Sequence, residues 1–95
     1  MFILHLQTSL FPLGQLCATP GVLAEVSPEE VAAAVTRHSS GDWGELCQED
    51  IEENQRALKE GCRLLSAYSS TNGAKFWIIT EWDRSVTTVL LPSEY

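Results

Sequence analysis

Leu64-Leu65-Ser66-Ala67-Tyr68-Ser69-Ser70, Thr71-Asn72-Gly73-Ala74 and Lys75-Phe76-Trp77-Ile78-Ile79-Thr80-Glu81 form the stretch that decides the fold. From Arg63 onward the hydrophobic period is two, and an Asn-Gly pair separates the two runs. Asn-Gly between strand-like runs is the strongest short-range hairpin signal. Trp82-Asp83-Arg84-Ser85 makes a second turn, and Val86 to Leu91 gives a third strand ended by Pro92. An antiparallel meander of three strands is therefore expected.

Upstream the period is helical. In Ser27-Pro28-Glu29-Glu30, Ser27 can cap the first orphan amides, Pro28 suits the first helical position, and Glu30 can complete a capping box. Val31, Val35 and His38 then share one helix face, and Ser39-Ser40-Gly41 ends the helix. A second helix is expected from Gln48 to Glu60, stopped by Gly61, with Cys47, Ile51, Asn54, Leu58 and Cys62 as its buried stripe. Glu52 and Arg56 stand in the favourable i,i+4 order, and the acids of the first turns suit the helix dipole. Thr19-Pro20 opens a helical turn reaching Val26, Leu13 to Ala18 reads as a strand, and Phe2, Leu4 and Leu6 alternate as another. The expected class is α+β: two main helices on one face of an antiparallel sheet, built from the C-terminal meander plus one or two N-terminal strands. Residues 1–12 read as an N-terminal extension and 13–95 as a single domain.

Thirteen acids against six bases give a net charge of −7. That balance argues against direct nucleic-acid binding, which needs a Lys/Arg footprint to displace counterions from the phosphates. Cys17, Cys47 and Cys62 have no spacing suited to a disulfide framework or a zinc site, and read as small apolar residues in a reducing compartment. The first base is Arg37, so the apolar N-terminus lacks the positive region of a signal peptide, and Gln7, Pro12 and Gly14 break it before it could span a bilayer. A cytoplasmic protein without membrane contact, cofactor or metal is expected.

Asn54 and His38 are polar residues on stripes that otherwise read as core, so each requires a partner; an unpartnered one would cost about 1–3 kcal/mol. Between them runs Ser39-Ser40-Gly41-Asp42-Trp43-Gly44. One expectation is that Asn54 and His38 fasten this loop, with Trp43 as its apolar anchor and Gly41 and Gly44 supplying unusual backbone angles. The alternatives are a His38 base oriented by Asp42, which lacks an obvious nucleophile or metal, and a ligand pocket under the loop. Glu81, Asp83 and Arg84 could form a recognition edge, or simply solvated turn chemistry with a weak surface ion pair. On the central strand Trp77 and Ile79 share one face, and Phe76 and Ile78 the other. Two helices cover one face only, so the second calls for the N-terminal segment or a second copy of the chain, and a homodimer is expected.

Leu13-Gly14-Gln15-Leu16, Ala18-Thr19-Pro20-Gly21, Arg37-His38, Gly41-Asp42-Trp43-Gly44, Leu64-Leu65-Ser66-Ala67-Tyr68, Trp77-Ile78-Ile79-Thr80-Glu81, Asp83-Arg84-Ser85 and Thr87-Thr88-Val89-Leu90-Leu91-Pro92 carry a resemblance. The chain from Leu13 to Tyr95 resembles a group of small bacterial proteins of plasmids, integron cassettes and other mobile elements, commonly labelled plasmid-related. The resemblance implies an accessory protein of mobile DNA and brings no catalytic residue with it. The first ten or so residues lie outside it, as an extension or the product of an upstream start codon. The expected function is a non-catalytic module that binds another protein. The alternatives are a mimic of nucleic acid, if Glu45, Glu49, Asp50, Glu52 and Glu53 cluster, and a small enzyme or ligand-binding protein using His38 and Asp42.

Overall fold

The computed structural model describes residues 9–95; the strand expected over Phe2 to Leu6 lies outside them. The order is β1 (Gln15–Ala18), α1 (Pro20–Glu25), α2 (Pro28–Ser39), α3 (Gln48–Glu60), β2 (Leu64–Ser69), β3 (Lys75–Thr80), β4 (Val86–Leu90) and a 3-10 turn, Pro92–Glu94. This is an α+β fold around a four-stranded sheet of order β1-β4-β3-β2. The meander forms as its sequence dictates, with Leu64 opposite Thr80 and Ser69 opposite Lys75 across β2 and β3, and Trp77 opposite Leu90 across β3 and β4.

The sheet is mostly antiparallel, as expected, and the direction of its N-terminal strand is the one correction. β1 runs parallel to β4, from Gln15 beside Val86 to Ala18 beside Val89. All three helices and two strands separate β1 from β4 in the chain, so no hairpin imposes an antiparallel direction. The pairing begins where Gly14 adopts a φ of +65°; a Cβ there would run into the backbone of Arg84 and Ser85. The Gln15 amide then donates to Ser85 O at 2.9 Å, so the strand starts two residues later than Leu13.

Helix ends follow local chemistry, with two substitutions of partner. Ser27 Oγ accepts from the Glu30 amide at 3.2 Å, with Pro28 at the helix start. The Glu30 carboxylate does not close the capping box; it accepts from the Thr71 amide at 2.8 Å. Asn72 Nδ2 donates to Glu25 O at 2.9 Å, so the hairpin turn is tied to the helical layer at two points. On α3, Arg56 pairs with Glu53 rather than Glu52, which instead accepts from Gln48. Both spacings place partners on one side of a helix, and the nearer acid wins.

Alternation sends Leu64, Ser66, Tyr68, Phe76, Ile78, Thr80, Thr87 and Val89 to one face of the sheet, all buried. Val22 and Val26 of the α1 segment and Ala34 and Val35 of α2 cover it. A second cluster joins Phe11, Trp43, Ala57 and Leu64, so the packed domain begins before Leu13. α3 meets the sheet at β2, where Ala57 packs with Leu64 and Asn54 bonds the Leu65 backbone at the edge. That placement seals only a short part of its stripe: Asn54 and Ala57 are buried, Ile51 and Leu58 half-buried, Cys47 and Cys62 exposed. Among the described residues no α-helix covers the opposite face, where Leu65, Ala67, Trp77, Val86 and Thr88 are half-buried and Tyr95, at the end of the 3-10 turn, meets Trp77.

Candidate functional site

His38 is fully buried, and its ring is the hub of a polar chain that crosses the sheet. Nδ1 lies 2.5 Å from Ser66 Oγ on β2, and Nε2 lies 2.9 Å from Thr80 Oγ1 on β3. Thr80 Oγ1 is 2.7 Å from Thr87 Oγ1 on β4, which donates to Leu13 O at 2.7 Å, just before β1. That last bond fixes the direction of the two before it, and the neutral form of the ring fixes the one to Ser66. Thr87 spends its proton on Leu13 O and so accepts from Thr80; Thr80 then accepts from His38 Nε2–H; His38 Nδ1 accepts from Ser66. The bonds require a proton on Nε2, and in the neutral ring each hydroxyl proton is then used once.

Electrostatics agree with a neutral ring. Burial, helped by the positive charge of Arg84, lowers the His38 pKa to about 4. Phe11 and Trp43 meet the imidazole edge-on, with centroids at 5.3 and 5.6 Å. Both ring nitrogens are occupied and the side chain has no exposed surface. A general base needs an approach for its substrate, and this one has none. Asp42 does not bond His38, so the dyad raised as an alternative does not form. It is the partner of Arg37, accepting from Nε at 2.7 Å and from Nη2 at 3.2 Å, and the bond from Arg37 lowers its pKa.

The 39–44 loop is fastened with Trp43 as its apolar anchor, as expected, and packed against His38, but its polar ties come from Asp42 and Tyr68 rather than from the His38 and Asn54 side chains. The Asp42 carboxylate also accepts from the Gly44 amide at 3.2 Å, and Asp42 O accepts from Tyr68 Oη at 2.6 Å. Burial pushes the Tyr68 hydroxyl up to about 12, which keeps it a donor. Trp43 is buried, stacked on Phe11 with centroids 6.2 Å apart. Its indole Nε1 has no acceptor among the described residues, a cost of about 1–3 kcal/mol that the ring packing offsets. Gly44 adopts a φ of +76°, and a Cβ there would overlap Ala67 O and the Tyr68 ring. That close approach lets Ala67 N donate to Trp43 O at 3.2 Å and Glu45 N donate to Ala67 O at 2.8 Å.

Asn54 serves the neighbouring position of the same strand rather than the loop. Its Nδ2 donates to Leu65 O at 2.7 Å, and its Oδ1 accepts from Leu65 N at 3.2 Å. A side-chain amide thus replaces one residue of a missing neighbour strand. His38 and Asn54 sit on different faces of the assembly: one spans the strands from beneath, the other closes their edge.

Glu81, Asp83 and Arg84 do not form a single acidic-basic edge. Glu81 pairs with Arg63 at 3.4 Å, and Asp83 accepts from the amide and hydroxyl of Ser85. Arg84 turns inward with a φ of +60°. Its guanidinium donates to Cys62 O at 2.6 Å, Glu81 O at 3.1 Å and Ala57 O at 3.1 Å, and lies 5.7 Å from the Phe11 ring centroid. It therefore satisfies carbonyls at the α3 C-terminus, where a cation is favoured. Sequence reading missed this role, and missed Ser66, Thr80 and Thr87. The hydroxyls were detectable, because they fall at the same strand parity as Leu64, Ile78 and Val89.

The helix-free face offers the opposite environment. Arg63, Leu65, Trp77, Ile79 and Tyr95 line an open cleft of about 220 Å³. The Tyr95 ring meets Trp77 edge-on at 5.8 Å, and its hydroxyl accepts from Arg63 Nη1 at 2.6 Å. Two ion pairs border this face, Arg63–Glu81 and Lys75–Glu45, the second at 3.6 Å. Among the described residues no group of His, Cys, Asp and Glu is arranged to hold a metal, and no helix is long and apolar enough to cross a membrane. Comparison of the chain with family models, curated proteins and solved structures returns no match.

Proposed function

We propose that the protein is a non-catalytic protein–protein interaction module, docking through the helix-free face of its sheet. The observation that carries this reading is a charge-balanced apolar surface on a chain of net charge −7. Leu65, Trp77 and Ile79 form its floor, and the basic and acidic residues at its border are paired with each other. Such a surface suits a partner that inserts an aliphatic or aromatic side chain, with little electrostatic barrier to approach. The sealed imidazole supports the same reading, since the side chain best suited to acid–base work holds the strands together.

Mimicry of nucleic acid has weaker support. Of the five acids that would form the imitation, Glu45 is paired with Lys75 and Glu53 with Arg56, which dilutes any phosphate-like row. A bacterial cytoplasmic setting, as an accessory of mobile DNA, belongs to this proposal and rests on the sequence resemblance. The test is affinity capture from a bacterial host lysate with the wild-type chain and with Trp77→Lys. A partner retained by the first and lost by the second supports the reading; partners held equally by both, or none, overturn it.

A further inference from the structure

The two edges of the sheet are finished differently. On β2 the outward backbone groups of Leu65 and Ala67 are bonded to Asn54, Trp43 and Glu45. On β1 the amides of Gln15 and Thr19 donate to Ser85 O and Val89 O. Alternation along a strand then turns the amides and carbonyls of Leu16 and Ala18 away from β4, towards an edge with no further strand among the described residues. β1 is short, at four residues, but the other usual protections are absent among the described residues. The first charged residue of the chain is Glu25, no proline lies between Pro12 and Pro20, and β1 pairs with β4 one for one without a bulge. Leu16 on this edge is 52 % exposed, and Leu23 on α1 is 55 % exposed.

We infer that β1 is a self-association strand: two copies of this chain pair β1 to β1, antiparallel, about a two-fold axis at Cys17. The open groups sit two residues apart, so Leu16 of each copy exchanges both backbone bonds with Ala18 of the other. One symmetric register satisfies every open group on both copies. Leu16, beside Thr87, and Ala18, beside Val89, share the helix-covered side, so a large side chain meets a small one across the axis. Gln15 falls opposite Thr19, whose hydroxyl donates to Glu94 at 2.6 Å, so an amide donor faces a hydroxyl–carboxylate pair. A chain of −7 repels its own copy, and β1 itself carries no charged residue; the carboxylate nearest the seam, Glu94, is bonded to Thr19 at each end of the paired strands. The result doubles the four-stranded sheet, with both helical layers on one side and one continuous helix-free face. This inference stands on the edge and not on the docking face proposed above.

Cys17 reports the geometry. It occupies a non-hydrogen-bonded position, where paired Cα atoms lie about 4.5 Å apart, inside the disulfide range of about 4.4–6.8 Å. The experiment uses the full chain carrying Cys47→Ser and Cys62→Ser, both at exposed positions. Light scattering across micromolar to millimolar concentration should show a dimer, and air oxidation with copper–phenanthroline should link it through Cys17. Leu16→Lys should weaken the dimer by at least about tenfold. Leu16→Pro removes only an outward amide and should act alike; Trp77→Lys should leave the dimer intact. A monomer at every concentration, a dimer that ignores both Leu16 variants, or one whose Cys17 thiols do not link would overturn the inference. Loss of the dimer in Trp77→Lys would move the contact to the helix-free face and overturn it as well.

Discussion

The β2 edge and the β1 edge belong to one sheet, yet the chain treats them as different problems. At β2 three residues from α3 and the connecting loop, Asn54, Trp43 and Glu45, imitate a neighbouring strand. At β1 four uncharged residues end the sheet with nothing beside them among the described residues. Unpaired backbone groups cost stability when buried and invite pairing when exposed. The difference teaches that edge protection here is local, built from one side chain and a loop backbone that pass β2, and that no such guard stands at β1 among the described residues. The His38 chain runs between the two, from Ser66 on β2 to Leu13 before β1, and holds the strands in register from beneath.

The largest effect should come from cutting that chain. His38→Ala leaves the Ser66 and Thr80 hydroxyls without the imidazole and opens a cavity, so a loss of about 3–5 kcal/mol is expected in denaturant unfolding. A loss under about 1 kcal/mol would mean the hydroxyl ladder holds without its hub. Acid should reproduce much of this loss without a mutation. The folded-state pKa of His38, about 4, lies below its ordinary 6.5, so the unfolded chain takes up its proton first as pH falls. Stability from this group is therefore complete above about pH 6.5 and declines as pH drops towards 4, by on the order of 3 kcal/mol. Unfolding free energies measured across that window check the sign; a flat profile contradicts a neutral buried ring.

Asn54→Leu removes the guard of β2 at Leu65 and should cost about 1–3 kcal/mol. Equal or greater stability would show that the amide is dispensable at that edge. Arg84→Lys keeps the charge but loses the fork that spans Ala57 O and Cys62 O, with about 1–2 kcal/mol expected; thermal unfolding beside Arg84→Ala separates charge from geometry. Smallest of all is Leu16→Lys at the bare edge, within about 0.5 kcal/mol for the monomer, its consequence falling on self-association.

Much of the fold was legible because its signals are local. Asn72-Gly73, Ser27-Pro28 and the stop at Gly61 set the meander and both main helices. The direction of β1 was not, since it depends on the contact of Gly14 with the second turn across most of the chain. At the candidate site, the demand that His38 and Asn54 find partners could be read from their stripes, but not which partners. Those come from strand residues far along the sequence: Ser66, Thr80 and the Leu65 backbone. Arg84 was misread because a charged turn residue ordinarily faces water, and only the α3 C-terminus beside it makes the inward rotamer favourable.

Amide hydrogen exchange followed by NMR, at low and high protein concentration, tests the contrast between the edges most directly. The amides of Leu65 and Ala67 should be protected at any dilution, whereas those of Leu16 and Ala18 should exchange quickly when dilute and slow down on concentration. Protection of Leu16 and Ala18 in the dilute sample, or rapid exchange at Leu65 and Ala67, would contradict a sheet with one guarded and one open side.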